Sequence, residues 1–225
     1  MIINYTFDST VSGAPVGFTA TLNAVASFFQ NTFSDPVTVN INVGYGKVNG
    51  QPLGANALGT SLTYLSYLGN NSYPALKSAM TADAKTADDT NSVNSLPINN
   101  PNGGNYWVST AEAKALGLAG PSNALDGYVG FSNAPGIFDY DNSNGVTAGT
   151  YDFFGVVAHE VSEVMGRIFL LGSTIGTTPN SYDAMDLFHF SAPGVHRFTG
   201  AQGYFSVDNG ITNLEIGRAS CRERV

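Results

Sequence analysis

Hydrophobic and polar residues follow two different periods along the first 46 residues. Residues 18–33 carry five apolar side chains at helical spacing, which predicts an amphipathic helix: Leu22, Val25, Ala26, Phe29 and Phe33. Residues 37–46 alternate valine or isoleucine with polar residues, which predicts a half-buried strand, and residues 2–8 indicate an earlier strand. Strand, helix and strand in this order predict an α/β beginning.

Shorter segments follow with less regular patterns. Residues 72–85 predict a short helix that begins near Ser72 or Tyr73, and residues 97–105 are a loop by their Pro, Asn and Gly content. Residues 109–118 predict a helix with Ser109 or Thr110 as its cap, Glu112 in its first turn and an end near Gly117. Residues 126–132 predict a short strand. Because neither a repeat nor a linker is visible, we expect one domain.

Residues 153–168 predict a helix with one apolar and one polar side at about 100° per residue. The apolar side consists of Phe153, Phe154, Val157, Val161, Val164, Met165 and Ile168. The polar side consists of His159, Glu160, Ser162, Glu163, Gly166 and Arg167, with Val156 among them.

The polar side of this helix has the spacing of a metal site. His159 and Glu163 stand four residues apart, so their side chains can converge on one ion. Glu160 is offset by about 100° and can reach a metal-bound water as a general base. The alternative is an ordinary surface pair between Glu163 and Arg167, which stabilises a helix by only about 0.3–0.5 kcal/mol.

The segment AHEVSEVMG resembles the active-site helix of the zincin metallopeptidases, in the metzincin-like form H-E-x-x-H-x-x-G. His159, Glu160 and Gly166 match that form, whereas Glu163 stands at the second ligand position and Phe169 at the third. Over about residues 1–214, the chain resembles bacterial secreted zincin-like proteins with an H-E-x-S-E-x-M-G-R helix and a later D-L-F-x-x-S-A-P-G segment. The resemblance implies an α+β fold, in which a twisted mixed sheet packs on the active-site helix, and zinc-dependent peptide hydrolysis.

The resemblance also implies roles for residues outside the helix. Residues 125–131 would form the strand that binds an extended peptide, and Met185 would lie in the turn beneath the metal. Because Phe169 cannot bind zinc, the third ligand is expected to be Asp186, with Asp183 and His189 as alternatives. His189 could instead donate a hydrogen bond to an oxyanion. An anionic ligand at Glu163 would acidify the bound water less, which predicts slow turnover or a higher pH optimum.

Composition and charge limit the classes of partner that this chain is expected to bind. Hydrophobic residues make up 43% of the 225 residues, which suffices for a core, and the net charge of −8 argues against nucleic acid. No apolar run reaches the length of a membrane helix. The richness in Gly, Asn, Ser and Thr suits a secreted bacterial protein, although residues 1–7 lack the features of a signal peptide. We expect a monomer with a protein or peptide substrate.

Residues 215–225 differ sharply from what precedes them. This tail contains the only cysteine, Cys221, and three of the nine basic residues. It resembles the conceptual translation of a short-read sequencing adapter. We therefore predict a metallopeptidase domain over residues 1–214, truncated near Leu214, with a net charge of −9 from 15 acidic and 6 basic residues.

A second cation site is considered at residues 139–145. Asp139, Asp141 and Ser143 alternate as in a Ca²⁺ loop, but Gly145 lies one place late and Thr150 stands where such a loop has glutamate. An Asx-rich turn is the favoured interpretation.

Two functions from different classes follow. The first is a secreted zinc-dependent metalloendopeptidase, with His159, Glu163 and Asp186 as metal ligands and Glu160 as the catalytic base. The second is a non-catalytic surface or matrix-binding module on the same scaffold, in which Glu163 pairs with Arg167 and no metal binds.

Overall fold

The computed structural model describes residues 1–69 and 72–214, and within them the chain is an α+β protein. The helices are α1 (Phe18–Thr32), α2 (Tyr73–Asp83), α3 (Ala87–Ser95), α4 (Thr110–Ala115) and α5 (Phe153–Met165). The strands are β1 (Ile2–Phe7), β2 (Thr38–Tyr45), β3 (Lys47–Val48), β4 (Gln51–Pro52), β5 (Gly59–Thr63), β6 (Leu65–Tyr67), β7 (Asn105–Ser109), β8 (Gly127–Phe131), β9 (Phe138–Asp139), β10 (Tyr151–Asp152), β11 (Ser173–Ile175), β12 (Thr178–Tyr182), β13 (His189–Ala192), β14 (Val195–His196) and β15 (Tyr204–Phe205). Short 3₁₀ turns occupy Ser9–Gly13, Asn142–Asn144 and Met185–Phe188. The predicted first strand, amphipathic helix and second strand are confirmed as β1, α1 and β2.

A mixed four-stranded sheet with the order β1-β2-β8-β5 carries the first hydrophobic core. Strands β1, β2 and β8 are parallel, whereas β5 runs antiparallel to β8 at the edge. Helices α1 and α5 contact each other and the same sheet, and they bury a common set of apolar side chains that includes Phe18, Leu22, Val157 and Val161. The expected mixed sheet packed on the motif-bearing helix is therefore present.

A second hydrophobic core lies around the sheet β11-β12-β7-β6. Most of its buried side chains come from α2, β7 and residues 182–190, and single residues of α3 and α4 also contribute. Helix α3 was not predicted, because Val93 is its one buried apolar side chain. Its start is instead specified by a capping box between Thr86 and Asp89.

The two cores are joined by short segments. Strand β5 leads through Tyr64 directly into β6, so residues 59–67 run from one sheet to the other. Helix α4 contributes Ala111 to the first core and Ala113 to the second. Ser109 caps this helix by accepting a hydrogen bond from Glu112 N at 2.9 Å, which confirms the predicted cap.

Helix α5 begins and ends at identifiable residues. The Asp152 side chain caps it by accepting hydrogen bonds from Phe154 N and Gly155 N. The helix ends at Met165 because Gly166 adopts a φ of +124°, a conformation open to glycine. The predicted extension to residue 168 is therefore wrong by three residues.

Strand β8 occupies an interior position in the sheet. It confirms the predicted strand at residues 126–132, but it is paired with β2 on one side and with β5 on the other. Its backbone groups are thus used within the sheet. The expectation that this strand binds an extended peptide is wrong, and the edge of the sheet beside α5 belongs to β5.

Within the described ranges, no helix is long and apolar enough to cross a membrane. The predicted adapter-like segment, residues 215–225, lies outside the residues that the structure describes.

Candidate metal centre

His159 and Glu163 face the same way on α5 and lie in contact. His159 Nε2 is 3.2 Å from Glu163 Oε1. The two side chains are 14% and 6% exposed, so the pair is largely removed from water but still accessible. This is the contact expected from their spacing of four residues.

Strand β5 anchors Glu163 at two points. Ser61 Oγ donates a hydrogen bond to Glu163 Oε2 at 2.5 Å, and Thr63 Oγ1 donates to the Glu163 carbonyl oxygen at 3.0 Å. The carboxylate of Glu163 thus has one oxygen held by the strand and the other beside His159.

Glu160 lies against the same strand at a glycine. A Cβ placed on Gly59 would stand 2.7 Å from Glu160 Cγ and 2.8 Å from Glu160 Oε1, closer than such atoms pack. Glu160 is only 6% exposed. The absence of a side chain at Gly59 therefore provides the space that the Glu160 carboxyl group occupies.

Arg167 donates hydrogen bonds to two atoms of α5. Its Nε donates to Ser162 Oγ at 2.6 Å, and its Nη2 donates to the His159 carbonyl oxygen at 3.1 Å. Ser162 Oγ in turn donates to the same carbonyl oxygen. These bonds connect Arg167, which follows the end of the helix, to Ser162 and to the backbone of His159.

The outer edge of β5 adjoins this cluster. Ser132 N donates to Leu58 O and Tyr64 N donates to Asp126 O, so even-numbered residues of the strand turn their backbone groups toward β8. The N–H and C=O groups of Gly59, Ser61 and Thr63 therefore point outward. Within residues 1–69 and 72–214, no backbone hydrogen bond to another segment covers them.

Asp186 is fully buried beyond the end of α5. Its Oδ2 accepts hydrogen bonds from the backbone N–H groups of Leu170, Leu171 and Asp183, at 2.8 to 3.2 Å. Among the residues that the structure describes, neither its Oδ1 nor Asp183 Oδ2 has a hydrogen-bond partner. Among the described residues, no three His, Cys, Asp or Glu side chains are grouped to hold a metal ion, so Asp186 does not join His159 and Glu163 in such a group.

Asp183 and His189, the alternative third ligands, also make contacts of their own. Asp183 Oδ1 accepts a hydrogen bond from Asp186 N. His189 Nδ1 lies 2.8 Å from the Arg197 carbonyl oxygen, and the ring packs beside Phe169 and Gly203. Burial lowers the pKa of His189, which favours the neutral ring. Met185 begins the 3₁₀ turn that contains Asp186.

Three acidic side chains share the region beyond the end of α5. Burial raises the pKa of Glu112 to about 8 and that of Asp186 to about 6. The pKa of Asp183 is raised well above its usual range by burial, and further by the neighbouring Asp186 and Glu112 carboxylates. Burial therefore disfavours the charged forms of these carboxyl groups, and the folded chain keeps protons at pH values where exposed carboxyl groups have lost them.

This cluster predicts that stability falls as the pH rises. Because folding raises these pKa values, the folded chain holds protons that the unfolded chain has released. The stabilisation is complete below about pH 4, the unfolded pKa of a carboxyl group. It is lost as the pH rises through about 6 for Asp186 and about 8 for Glu112. Urea unfolding of Asp183→Asn at pH 5 and pH 8 should show a flatter dependence on pH, because the variant lacks a carboxyl group whose pKa burial raises.

The matched control for that prediction is Asp83→Asn. The Asp83 side chain is 41% exposed and lies 3.9 Å from Lys85 Nζ. Its replacement removes one negative charge without touching the buried cluster, so the pH dependence of unfolding should stay as in the parent chain. Equal slopes for Asp183→Asn and the parent would show that the cluster does not set the pH dependence.

Residues 139–145 form the Asx-rich turn that the sequence favoured. Asp139 Oδ2 accepts hydrogen bonds from Thr147 N and Oγ1, and Asp141 Oδ1 accepts from Ser143 N and Oγ. These local bonds lower the pKa of both aspartates. The carboxylates are thus engaged in shaping the loop itself.

The sequence pattern predicts the helix residues of this cluster and not its strand residues. Gly59, Ser61 and Thr63 are small or polar and stand in no apolar alternation, so the usual strand signal is absent there. No protein-family model, curated protein or solved structure matches this chain.

Proposed function

We propose that this chain is a zinc-dependent metalloendopeptidase whose metal is held by His159 and Glu163. The observation that carries the proposal is the 3.2 Å separation of His159 Nε2 and Glu163 Oε1. Two donors that each lie about 2.1 Å from one tetrahedral zinc ion are about 3.4 Å apart. The pair therefore fits two corners of a zinc site with little movement.

The proposed third ligand, Asp186, does not complete this pair in the present arrangement. Its Oδ2 is engaged by three backbone N–H groups, and Oδ1 is the atom left for an ion. For Asp186 to bind the same zinc, its turn and the end of α5 would have to approach each other. Asp186 stays a prediction, and water or substrate oxygens would fill the other positions.

Glu160 is the proposed catalytic base. A zinc ion bound here would polarise the scissile carbonyl group and acidify an attacking water. The Glu160 carboxylate, one helical step from His159, would take the proton of that water and pass it to the leaving nitrogen. Its position against Gly59 keeps it largely shielded from bulk water, where proton transfer to solvent would compete.

The outer edge of β5 supports an extended peptide as substrate. The outward N–H and C=O groups of Gly59, Ser61 and Thr63 are those with which an added strand pairs. A peptide bound there would lie beside Glu160 and Glu163, because the same three residues contact or make room for these carboxylates. In the zincin metallopeptidases that the helix motif resembles, such a strand holds the substrate.

The second function, a non-catalytic binding module, is favoured by a different observation. A separation of 3.2 Å is also that of a direct hydrogen bond between His159 and Glu163, and no three-residue metal group is present in the described part of the chain. Such a pair stabilises the last two turns of α5, and the Ser61 and Thr63 hydrogen bonds to Glu163 hold the helix to β5, all without any metal.

Metal analysis of the purified protein separates the two functions. We expect one zinc ion per chain, lost in Glu163→Ala because a single remaining helix ligand binds zinc weakly. Asp139→Asn is the matched control: it removes an exposed carboxylate from the Asx-rich turn and should keep the zinc. A parent protein free of metal after purification and zinc dialysis would rule out the metallopeptidase and leave the binding module.

A further inference from the structure

We propose that Ser61 is a positioning residue that holds the Glu163 carboxylate in the orientation required to bind the ion. The inference rests on the proposed function and goes beyond it, because no ligand role on the helix requires a hydroxyl group on β5. It is carried by the 2.5 Å hydrogen bond from Ser61 Oγ to Glu163 Oε2.

The bond fixes which carboxylate oxygen of Glu163 lies beside His159. A carboxylate only accepts hydrogen bonds and a hydroxyl group can donate one, so the direction of this bond is defined. With Oε2 engaged by Ser61, Oε1 is the oxygen that faces His159 Nε2. Without this bond the Glu163 carboxylate can turn about its last torsion angle, which is broad in glutamate, and Oε1 is no longer held beside His159.

The position of the hydroxyl group is set by the sheet. Ser61 pairs with Val129 of the interior strand β8, which is itself fully buried in the first core. Glu163 is tied to the same strand a second time, where Thr63 Oγ1 donates to its carbonyl oxygen. Ser61 therefore presents its donor from a strand whose position is set by its pairing with β8, as partners of metal ligands do when they tune affinity.

Two of the three hydroxyl groups of β5 provide a matched comparison. Ser61 contacts the carboxylate of Glu163, whereas Thr63 contacts only its backbone. Removing the first should weaken zinc binding by about 10- to 100-fold. Removing the second should leave zinc affinity unchanged, although it costs a comparable hydrogen bond.

The experiment measures zinc affinity by competition with a chromophoric chelator for the parent, Ser61→Ala, Ser61→Thr and Thr63→Val. We expect weakened binding in Ser61→Ala, recovery in Ser61→Thr because the hydroxyl group is retained, and parental affinity in Thr63→Val. The absorption spectrum of the cobalt-substituted protein should change in Ser61→Ala only, since it reports the ligand geometry. Should Ser61→Ala fail to fold, Ser61→Cys, of similar size but a weak donor, takes its place.

The outcomes distinguish a failure of the role of Ser61 from a failure of the proposed metallopeptidase function. Zinc bound equally tightly by the parent and Ser61→Ala, with identical cobalt spectra, would overturn the role of Ser61 and leave the metallopeptidase standing. An equal loss in Ser61→Ala and Thr63→Val would likewise overturn it, because the effect would then come from loosening the strand. A parent chain that binds no zinc would overturn the proposed function and this inference with it.

Discussion

Glu160→Gln should lower the rate of casein hydrolysis by about 10²- to 10⁴-fold, the usual contribution of a general base. Glutamine has nearly the shape of glutamate, so it fits the space at Gly59 that the parent side chain occupies. It cannot take up a proton from water. Because the proposed ligands His159 and Glu163 are unchanged, the zinc content should stay at the parental value.

The zinc content is what makes this variant informative. A loss of both activity and metal would assign Glu160 to metal binding and not to proton transfer. Asp83→Asn, which alters an exposed carboxylate, should retain full activity and serves as the control. Parental turnover in Glu160→Gln would contradict the assignment of Glu160 as the base.

Lys114→Met should lower the free energy of unfolding by about 3–5 kcal/mol. Lys114 Nζ donates to Asp126 Oδ2 at 2.6 Å, and the two side chains are only 4% and 2% exposed. Asp126 also accepts hydrogen bonds from Asn40 N and Thr110 Oγ1. The substitution would leave its charge buried without a cation, at the junction of β2, β8 and α4, and would remove a large part of the roughly 5–15 kcal/mol that stabilises a typical domain.

The same substitution at an exposed pair provides the comparison. Lys85 lies 3.9 Å from Asp83, with side chains 74% and 41% exposed. Lys85→Met should therefore cost at most about 1 kcal/mol in the same urea titration. Similar losses in the two variants would show that the burial of the Lys114–Asp126 pair does not set its contribution.

The sequence predicted several elements in which burial follows a regular period. Helix α1 and strand β2 each bury one face against the first core, so their apolar residues recur at 3.6 and 2 residues. Helix α5 was recognised for the same reason, together with His159, Glu160 and Glu163. The polar side of α5 is more buried than its composition suggests, because Glu160 and Glu163 pack against β5.

Two parts of the site could not be predicted for a related reason. The face of β5 that meets α5 consists of Gly59, Ser61 and Thr63, so its burial involves hydrogen bonds and close approach and not apolar contact. The pattern of hydrophobic residues along the chain therefore does not indicate that this face is buried. The place of Asp186 depends on how the turn Met185–Phe188 packs against residues 170–171, which local sequence does not determine.

Because β5 pairs with β8 in one register, the site depends on the number of residues that precede β5 and not only on their identity. Gly59 pairs with Phe131 and Ser61 with Val129, and side chains alternate between the two faces of a strand. A slip of one residue would turn Thr60 and Leu62 toward α5 and carry Ser61 to the opposite face. Insertions in the preceding segment, residues 49–58, are therefore tolerated only where they can be absorbed as a loop that leaves the pairing of Gly59 with Phe131 in place.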